Sequence, residues 1–402
     1  MRAGAAAPSA RLWSLDWFNF IVANIQTGFG AFVAVYLTSE AWTQGEIGLA
    51  LGIGTIATIA SQLPAGAMVD ALHNKRLAAA AACLAIAASA LMIGLWPVQL
   101  SVWAAKILHG FASSMLTPTI AAISLALVGR AALGERLGRN SRYAAIGSGV
   151  AAAVMGAFGT YVSEASVFYL TAALMLPALL VLRAVPPAPA VRPGEMAASG
   201  EVVAQDAMRE VLGLLASRRL LVFSVVVMLF HLSNAAQLPL IAGEVTVQAG
   251  SYASMVIAAC IVLPQLLVAM LAPGVGRWAE LYGRRRVMVV TFLAVPLRAA
   301  LLATAGSPEI VVLVQVLDGI SAAGFGVLLP LVAADITRGT GRFNLCLGLF
   351  GLLAALGATF STILGGAIAD WSSTSHALLV LAGFGVAAVL TAAVAMPETR
   401  EA

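Results

Sequence analysis

The chain is divided by hydrophobicity into twelve runs of mostly apolar residues, each about 20 or more long, and this leaves few folds open. About 20 apolar residues is the length of helix that crosses the hydrocarbon core of a bilayer. Lipid offers backbone amides no hydrogen bonds, so each crossing must satisfy its own, as a helix does. The first six runs cover about 14–38, 46–70, 77–96, 99–128, 141–162 and 166–184. The second six cover about 219–243, 251–273, 286–306, 308–333, 344–368 and 375–396. Only 10% of the 402 residues are charged and 61% are hydrophobic, whereas a soluble protein carries roughly 25% charged residues. Soluble domains and disorder are both excluded by that shortage of charge. The expected fold is an all-α membrane protein with 12 transmembrane helices. The N-terminus lacks the shape of a cleavable signal, so the first run is expected to be a true span.

Basic residues orient the spans, because loops rich in Lys and Arg stay in the cytoplasm. Of the 22 lysines and arginines, all but Lys106 and Arg298 fall before span one, after span twelve, or in alternate loops between. The opposite loops carry Glu40, Glu46, Glu164, Glu244, Glu309 and Asp370. Both termini are therefore expected in the cytoplasm. Lysine occurs only at Lys75 and Lys106, a bias of GC-rich bacterial genes, so the expected location is the inner membrane of a bacterial cell, multi-pass. Cys83, Cys260 and Cys346 lie far apart in apolar runs and have neither disulfide nor metal spacing.

The longest loop separates two halves: a six-helix bundle over 1–184, a linker over 185–217, and a second bundle over 218–402. The linker includes the stiff stretch VPPAPAVRPG, and about 201–217 reads as a short amphipathic helix. The halves repeat each other. Gly66 and Asp70, followed by Arg76, answer Gly276 and Glu280, followed by Arg284 and Arg285; Asn24 answers Asn234; and Lys106-x-x-His109-Gly110 answers Gln315-x-x-Asp318-Gly319. Parallel repeats of this kind place a substrate site near the bilayer midplane between the halves.

The loops Gly66-x-x-x-Asp70…Lys75-Arg76 and Gly276-x-x-x-Glu280-x-x-Gly283-Arg284-Arg285 resemble the signature loop of the major facilitator superfamily, and the layout resembles that family over the whole chain. The first copy departs from the signature, with Ala71, His73 and Asn74 in place of a basic residue, Gly and Arg. The resemblance implies a cytoplasmic gate made of Gly66, Asp70, Arg76, Gly276, Glu280, Arg284 and Arg285. The Lys106-to-Gly110 run is similar to the span-four motif of the family's antiporters, with Lys and His replacing the usual Arg and Gln. Span five lacks the Gly-Pro pair of those antiporters. The second half resembles a bacterial efflux-type subgroup.

Ionisable residues at membrane depth are costly and mark functional sites by default. Asp318 lies about ten residues into its span, roughly 15 Å deep, and Arg298, His109 and His231 lie at similar depth. These four are the proton-coupling candidates. Static alternatives stay open: an Arg298–Asp318 clamp, histidines satisfied by carbonyls, Lys106 snorkelling to the surface. Asn24, Gln26, Lys106, Asn234 and Gln237 are the substrate-cavity candidates; the two asparagines alternatively glue helices together. Asp16 reads as an interfacial or capping residue. Two deep cations against one deep acid favour a neutral or anionic organic substrate.

The expected function is a secondary transporter, a proton-coupled exporter working as a monomer in the lipid bilayer. The alternative is a proton-independent facilitator or importer. Neither a nucleophile with a nearby base nor a metal cluster nor a glycine-rich phosphate loop is legible, so no enzyme, metal or cofactor and no nucleic-acid partner is expected.

Overall fold

The computed structural model describes residues 9–72, 74–128, 133–185, 217–336 and 343–399. Among the described residues there are helices and no strands. The first six expected spans appear as α1 (Ser9–Thr27) with α2 (Ala31–Ser39), α3 (Gln44–Ala71), α4 (Lys75–Leu95), α5 (Gln99–Val128), α6 (Leu133–Tyr161), and α7 (Ser166–Ala173) with α8 (Met175–Ala184). The second six appear as α9 (Arg218–Asn234) with α10 (Gln237–Ala249), α11 (Ala253–Tyr282), α12 (Arg284–Phe292) with α13 (Ala294–Ala303), α14 (Pro308–Ile336), α15 (Phe343–Trp371), and α16 (Thr374–Leu390) with a π-turn over Thr391–Ala395. Ten segments are long and apolar enough to cross a membrane; one of them, Arg218–Tyr282, is 65 residues long, and Gln44–Ala71 is not among the ten. The linker and its expected amphipathic helix, 186–216, lie outside the described residues.

Four spans that read as continuous in sequence are broken. Three breaks have one cause. Pro177, Pro239 and Pro296 each stand third in the helix that follows the break. A proline there leaves the carbonyl four residues earlier without its helical partner, and its ring crowds that carbonyl. The freed carbonyls belong to Ala173, Ala235 and Phe292, at the ends of α7, α9 and α12. The fourth break, between α1 and α2, has no proline. Gly28 and Gly30 flank Phe29 there, and tighter turns replace the helical ladder, with Phe29 N donating to Gln26 O at 3.2 Å. Elsewhere Pro64, Pro118, Pro264, Pro273 and Pro330 sit inside unbroken helices.

The repeated glycines Gly110 and Gly319 make equivalent contacts. A Cβ on Gly110 would lie 2.7 Å from the Gly54 carbonyl of α3, and one on Gly319 would lie 3.1 Å from the Pro264 carbonyl of α11. Bare backbone therefore lets α5 close on α3 and α14 close on α11. Phe18, Phe32 and Phe168 fill the core among the N-terminal helices, and Phe223, Phe292 and Phe350 that among the C-terminal ones. Large apolar side chains such as Leu77, Leu176, Val290 and Leu313 point outward, which suits a surface solvated by lipid.

N-terminal and C-terminal helices meet along α3 with α15, α6 with α11, and α2 with α10. At the end of the bundle carrying the acidic loops they form a tight seam. Thr43 donates to Asp370 at 2.7 Å, Met255 N donates to the Thr160 hydroxyl at 3.1 Å, and Ser254 donates to Glu164. A Cβ on Gly48 would lie 2.2 Å from the Thr362 carbonyl, and one on Gly366 2.3 Å from the Gln44 carbonyl.

Candidate functional site

Between these two sets of helices, on the inner side of the seam, lies a cavity of about 490 Å³. Two of the helix breaks open onto it: Phe29 and Gly30 between α1 and α2, and Asn234 and Ala235 between α9 and α10. Non-helical backbone is tolerated at membrane depth where it borders such a cavity.

On the C-terminal side, Arg298 and Asp318 both line the cavity. Arg298 Nη1 donates to Asp318 Oδ1 at 2.6 Å and to Asn234 Oδ1 at 2.8 Å. Arg298 is 2% exposed and Asp318 is 22% exposed. The arginine is thus anchored in the bundle while the carboxylate faces the open space. Among the described residues the Arg298 Nε has no hydrogen-bond partner, so the guanidinium depends heavily on the Asp318 and Asn234 contacts.

On the N-terminal side, Lys106 and His109 line the same cavity. Lys106 is 5% exposed; it does not snorkel to the surface. Its Nζ donates to the Phe29 carbonyl at 3.2 Å and stands 5.8 Å from the centre of the Phe29 ring. Gly54 makes room for the lysine stem, since a Cβ there would fall 2.7 Å from Cε. The His109 ring stacks on Phe29 with centroids 3.8 Å apart. Its Nε2 is 2.8 Å from Gln26 Oε1 and 3.2 Å from the Ser113 hydroxyl.

Three other candidates lie away from the cavity wall. Asn24 turns back to its own helix, donating to the Phe20 carbonyl at 2.8 Å. Gln237 is fully buried and donates to the Ser233 carbonyl at 2.9 Å. His231 packs edge-on to Phe325, and its buried Nε2 has no hydrogen-bond partner among the described residues. Gln26 acts through His109 rather than facing the open space. These four were assigned by span and depth, but the facing of a helical side chain is set by rotation about the axis, which depth does not give.

At the arginine-rich end, Arg284 donates to Glu280 at 2.8 Å, Asp335 at 3.1 Å and the Ala279 carbonyl at 2.8 Å. Arg285 donates through its guanidinium to the Ala393 carbonyl, and its backbone N–H to Glu398. Gly276 makes only ordinary contact with Val327. Arg76 donates to the Arg183 carbonyl at 2.7 Å. All these contacts stay within one half. The side chains of Gly66 and Asp70 lie outside the described residues.

One cluster was missed in the sequence. Asp16, read as an interfacial or capping residue, is fully buried between Arg136 and Arg139. Arg136 also donates to Asn140, which donates to the Ser124 hydroxyl at 2.9 Å. The signal was present: Arg136, Arg139 and Asn140 are three and four residues apart and share one helix face.

The sequence profile of the MFS_1 like family matches residues 12–380. The chain belongs to this family. An MFS-type transporter of Mycobacterium tuberculosis, named as uncharacterised, is 33% identical over 398 residues, 98% of this chain and 95% of the relative. An MFS-type efflux transporter of Aspergillus flavipes is 31% identical over 111 residues, 27% of this chain and 20% of that protein. A mutant of the nucleoside transporter NupG superposes with a TM-score of 0.81 at 17% identity, covering 95% of this chain and 98% of that one. A bacterial homologue of the human lysosomal transporter Spinster superposes with a TM-score of 0.78 at 12% identity, covering 97% and 98%. This MFS member is therefore a multi-pass membrane transporter and not an enzyme.

Proposed function

We propose that the protein is a proton-coupled secondary transporter that exports a small neutral or anionic organic compound by alternating access. Counting each broken pair as one crossing gives twelve spans, in bundles over 1–184 and 218–402 joined by a cytoplasmic linker over 185–217. The basic loops orient both termini to the cytoplasm of a bacterial cell. In that orientation the tight seam faces outward, and the cavity belongs to a state closed to the outside. A functional monomer completes this reading.

The observation that carries the reading is the Arg298–Asp318 pair in the cavity wall. An ionised Asp318 holds the buried guanidinium. Protonation removes that partner and frees the carboxyl to face the cavity. If the two states differ in how strongly they hold the pair, they differ in proton affinity, and a proton gradient then biases their equilibrium. His109, bound to Gln26 and Ser113, and His231 are the further candidates for carrying a proton. Asn234 and Lys106 are the cavity contacts offered to substrate, with Asn24, Gln26 and Gln237 supporting the helices that carry them. Gly66, Asp70, Arg76, Gly276, Glu280, Arg284 and Arg285 form the cytoplasmic gate that closes when the outer seam opens. The efflux name of the Aspergillus flavipes relative, aligned over 27% of this chain, supports the outward direction.

The test is flux in proteoliposomes with an imposed pH gradient and a panel of organic solutes. The parent protein moves protons in exchange for solute, and Asp318→Asn does not. Solute flux indifferent to the gradient in both would point to a proton-independent facilitator or importer.

A further inference from the structure

Lys106 is a cation with no counter-ion in the wall of the cavity. Its ammonium has three donors, and the Phe29 carbonyl accepts from it at 3.2 Å. Among the described residues no carboxylate lies within 4.0 Å of it. The acids that could neutralise it are engaged elsewhere: Asp318 with Arg298, Asp16 with Arg136 and Arg139, Glu46 with Thr43 N, Glu164 with Ser254, and Asp370 with Thr43. Arg298 and Asp318 cancel, so the cavity holds one uncompensated positive charge. Closing both ends around such a charge is costly, because a desolvated ion needs a partner. The rest of the wall is largely apolar, with Phe29, Leu51, Leu238 and Pro239, relieved by the hydroxyls of Thr55 and Thr362.

We infer that the missing counter-ion is the substrate itself: the transported solute is an organic monoanion, a single carboxylate on an apolar body, docking on Lys106 with its body against Leu238 and Pro239. This rests on the transporter reading above and narrows its substrate class. The anion also supplies the neutrality that the closing cavity lacks, so the loaded carrier changes state more readily than the empty one. Exchange of anion for anion is then faster than net efflux.

The chain contains only two lysines, so reductive ¹³C-methylation of purified Lys75→Arg protein labels Lys106 and the N-terminal amine alone. Dimethylation keeps the charge. The Lys106 signal is then titrated at fixed pH and ionic strength with hexanoate and phenylacetate, with their amides, and with hexylamine and phenethylamine. A saturable shift with the carboxylates and none with the amides or amines is the expected result. In proteoliposomes the shifting carboxylate exchanges faster than it leaves in net efflux, and Lys106→Gln loses that exchange. The inference is overturned if formaldehyde fails to modify Lys106, if amides shift the signal as carboxylates do, if no carboxylate shifts it, or if Lys106→Gln exchanges carboxylate like the parent. The signal is read with the charge at position 106 retained, in protein altered only at Lys75, which does not line the cavity. A carboxylate shift together with Asp318→Asn flux that still follows the pH gradient would sink the coupling role of Asp318 and leave the anion site standing.

Discussion

Arg298 Nη1 lies 2.6 Å from Asp318 Oδ1, and the same nitrogen reaches Asn234 Oδ1 at 2.8 Å. One guanidinium thus ties three helices, α9, α13 and α14, at the cavity wall. Removing one partner of such a buried pair typically costs about 3–5 kcal/mol, because the remaining charge is stranded, whereas removing both is far cheaper. Asp318→Asn is expected to lower the thermal unfolding temperature more than the Asp318→Asn/Arg298→Gln double variant does. Unfolding of Asp318→Asn, Arg298→Gln and the double variant in detergent checks this; a double variant less stable than both singles would show that the pair is not the source of the effect.

The seam makes a prediction about motion. Thr43 and Asp370 are joined at 2.7 Å across the halves, and the native cysteines are all buried. Thr43→Cys with Asp370→Cys should form a disulfide under mild oxidation that locks the seam shut. Flux in proteoliposomes should stop on oxidation and return on reduction. Full flux in the cross-linked protein would mean that the seam does not open during transport.

Glu164 gives the seam a pH dependence. Burial holds its carboxyl above the usual range, opposed in part by the Ser254 hydroxyl. A carboxyl whose proton is held more tightly in the closed seam stabilises that seam when protonated. The stabilisation is present at low pH and is lost as pH rises through the raised value. Labels at exposed Tyr161→Cys and Val247→Cys would report the distance across the seam, which should lengthen as pH rises through the raised value. Adding Glu164→Gln should leave the distance insensitive to pH; an unchanged pH response there would assign the effect to another group.

Glycine contacts separate packing from chain flexibility. A Cβ on Gly110 meets the Gly54 carbonyl at 2.7 Å and the Thr58 backbone nitrogen at 2.9 Å, whereas one on Gly149 meets nothing within 4 Å. Gly110→Ala should destabilise by about 1–3 kcal/mol through overpacking. Gly149→Ala should be neutral or stabilising by up to about 1 kcal/mol, through helix propensity. Equal unfolding temperatures for the two variants would contradict the close approach of α5 to α3.

Much of the site was legible because charge in an apolar run is rare. Asp318, Arg298, His109 and His231 stood out by depth and Lys106 as a cation in an apolar run, and the structure lines one cavity with all of them but His231. Amides were read less well. Asn24 and Gln237 lie in cavity-forming spans, yet each donates to a backbone carbonyl of its own helix. Asp16 was misread because its partners lie on α6, 120 residues or more away in sequence. The prolines that break spans could not be told from those that do not: Pro239 ends a helix while Pro264 sits inside one.

By itself the sequence determined the solvent and the class of fold. Apolar runs of bilayer length permit little besides helices in lipid, and landmarks repeated at nearly one offset predict paired halves. Only the tertiary structure decided which buried charges pair. Arg298 and Lys106 are both cations at membrane depth, but one meets Asp318 and the other meets a backbone carbonyl. That difference depends on helix rotation, on broken helices at Phe29 and Ala235, and on the room left by Gly54. Each is a matter of ångströms between segments far apart in the chain, a scale that spacing along the sequence does not specify.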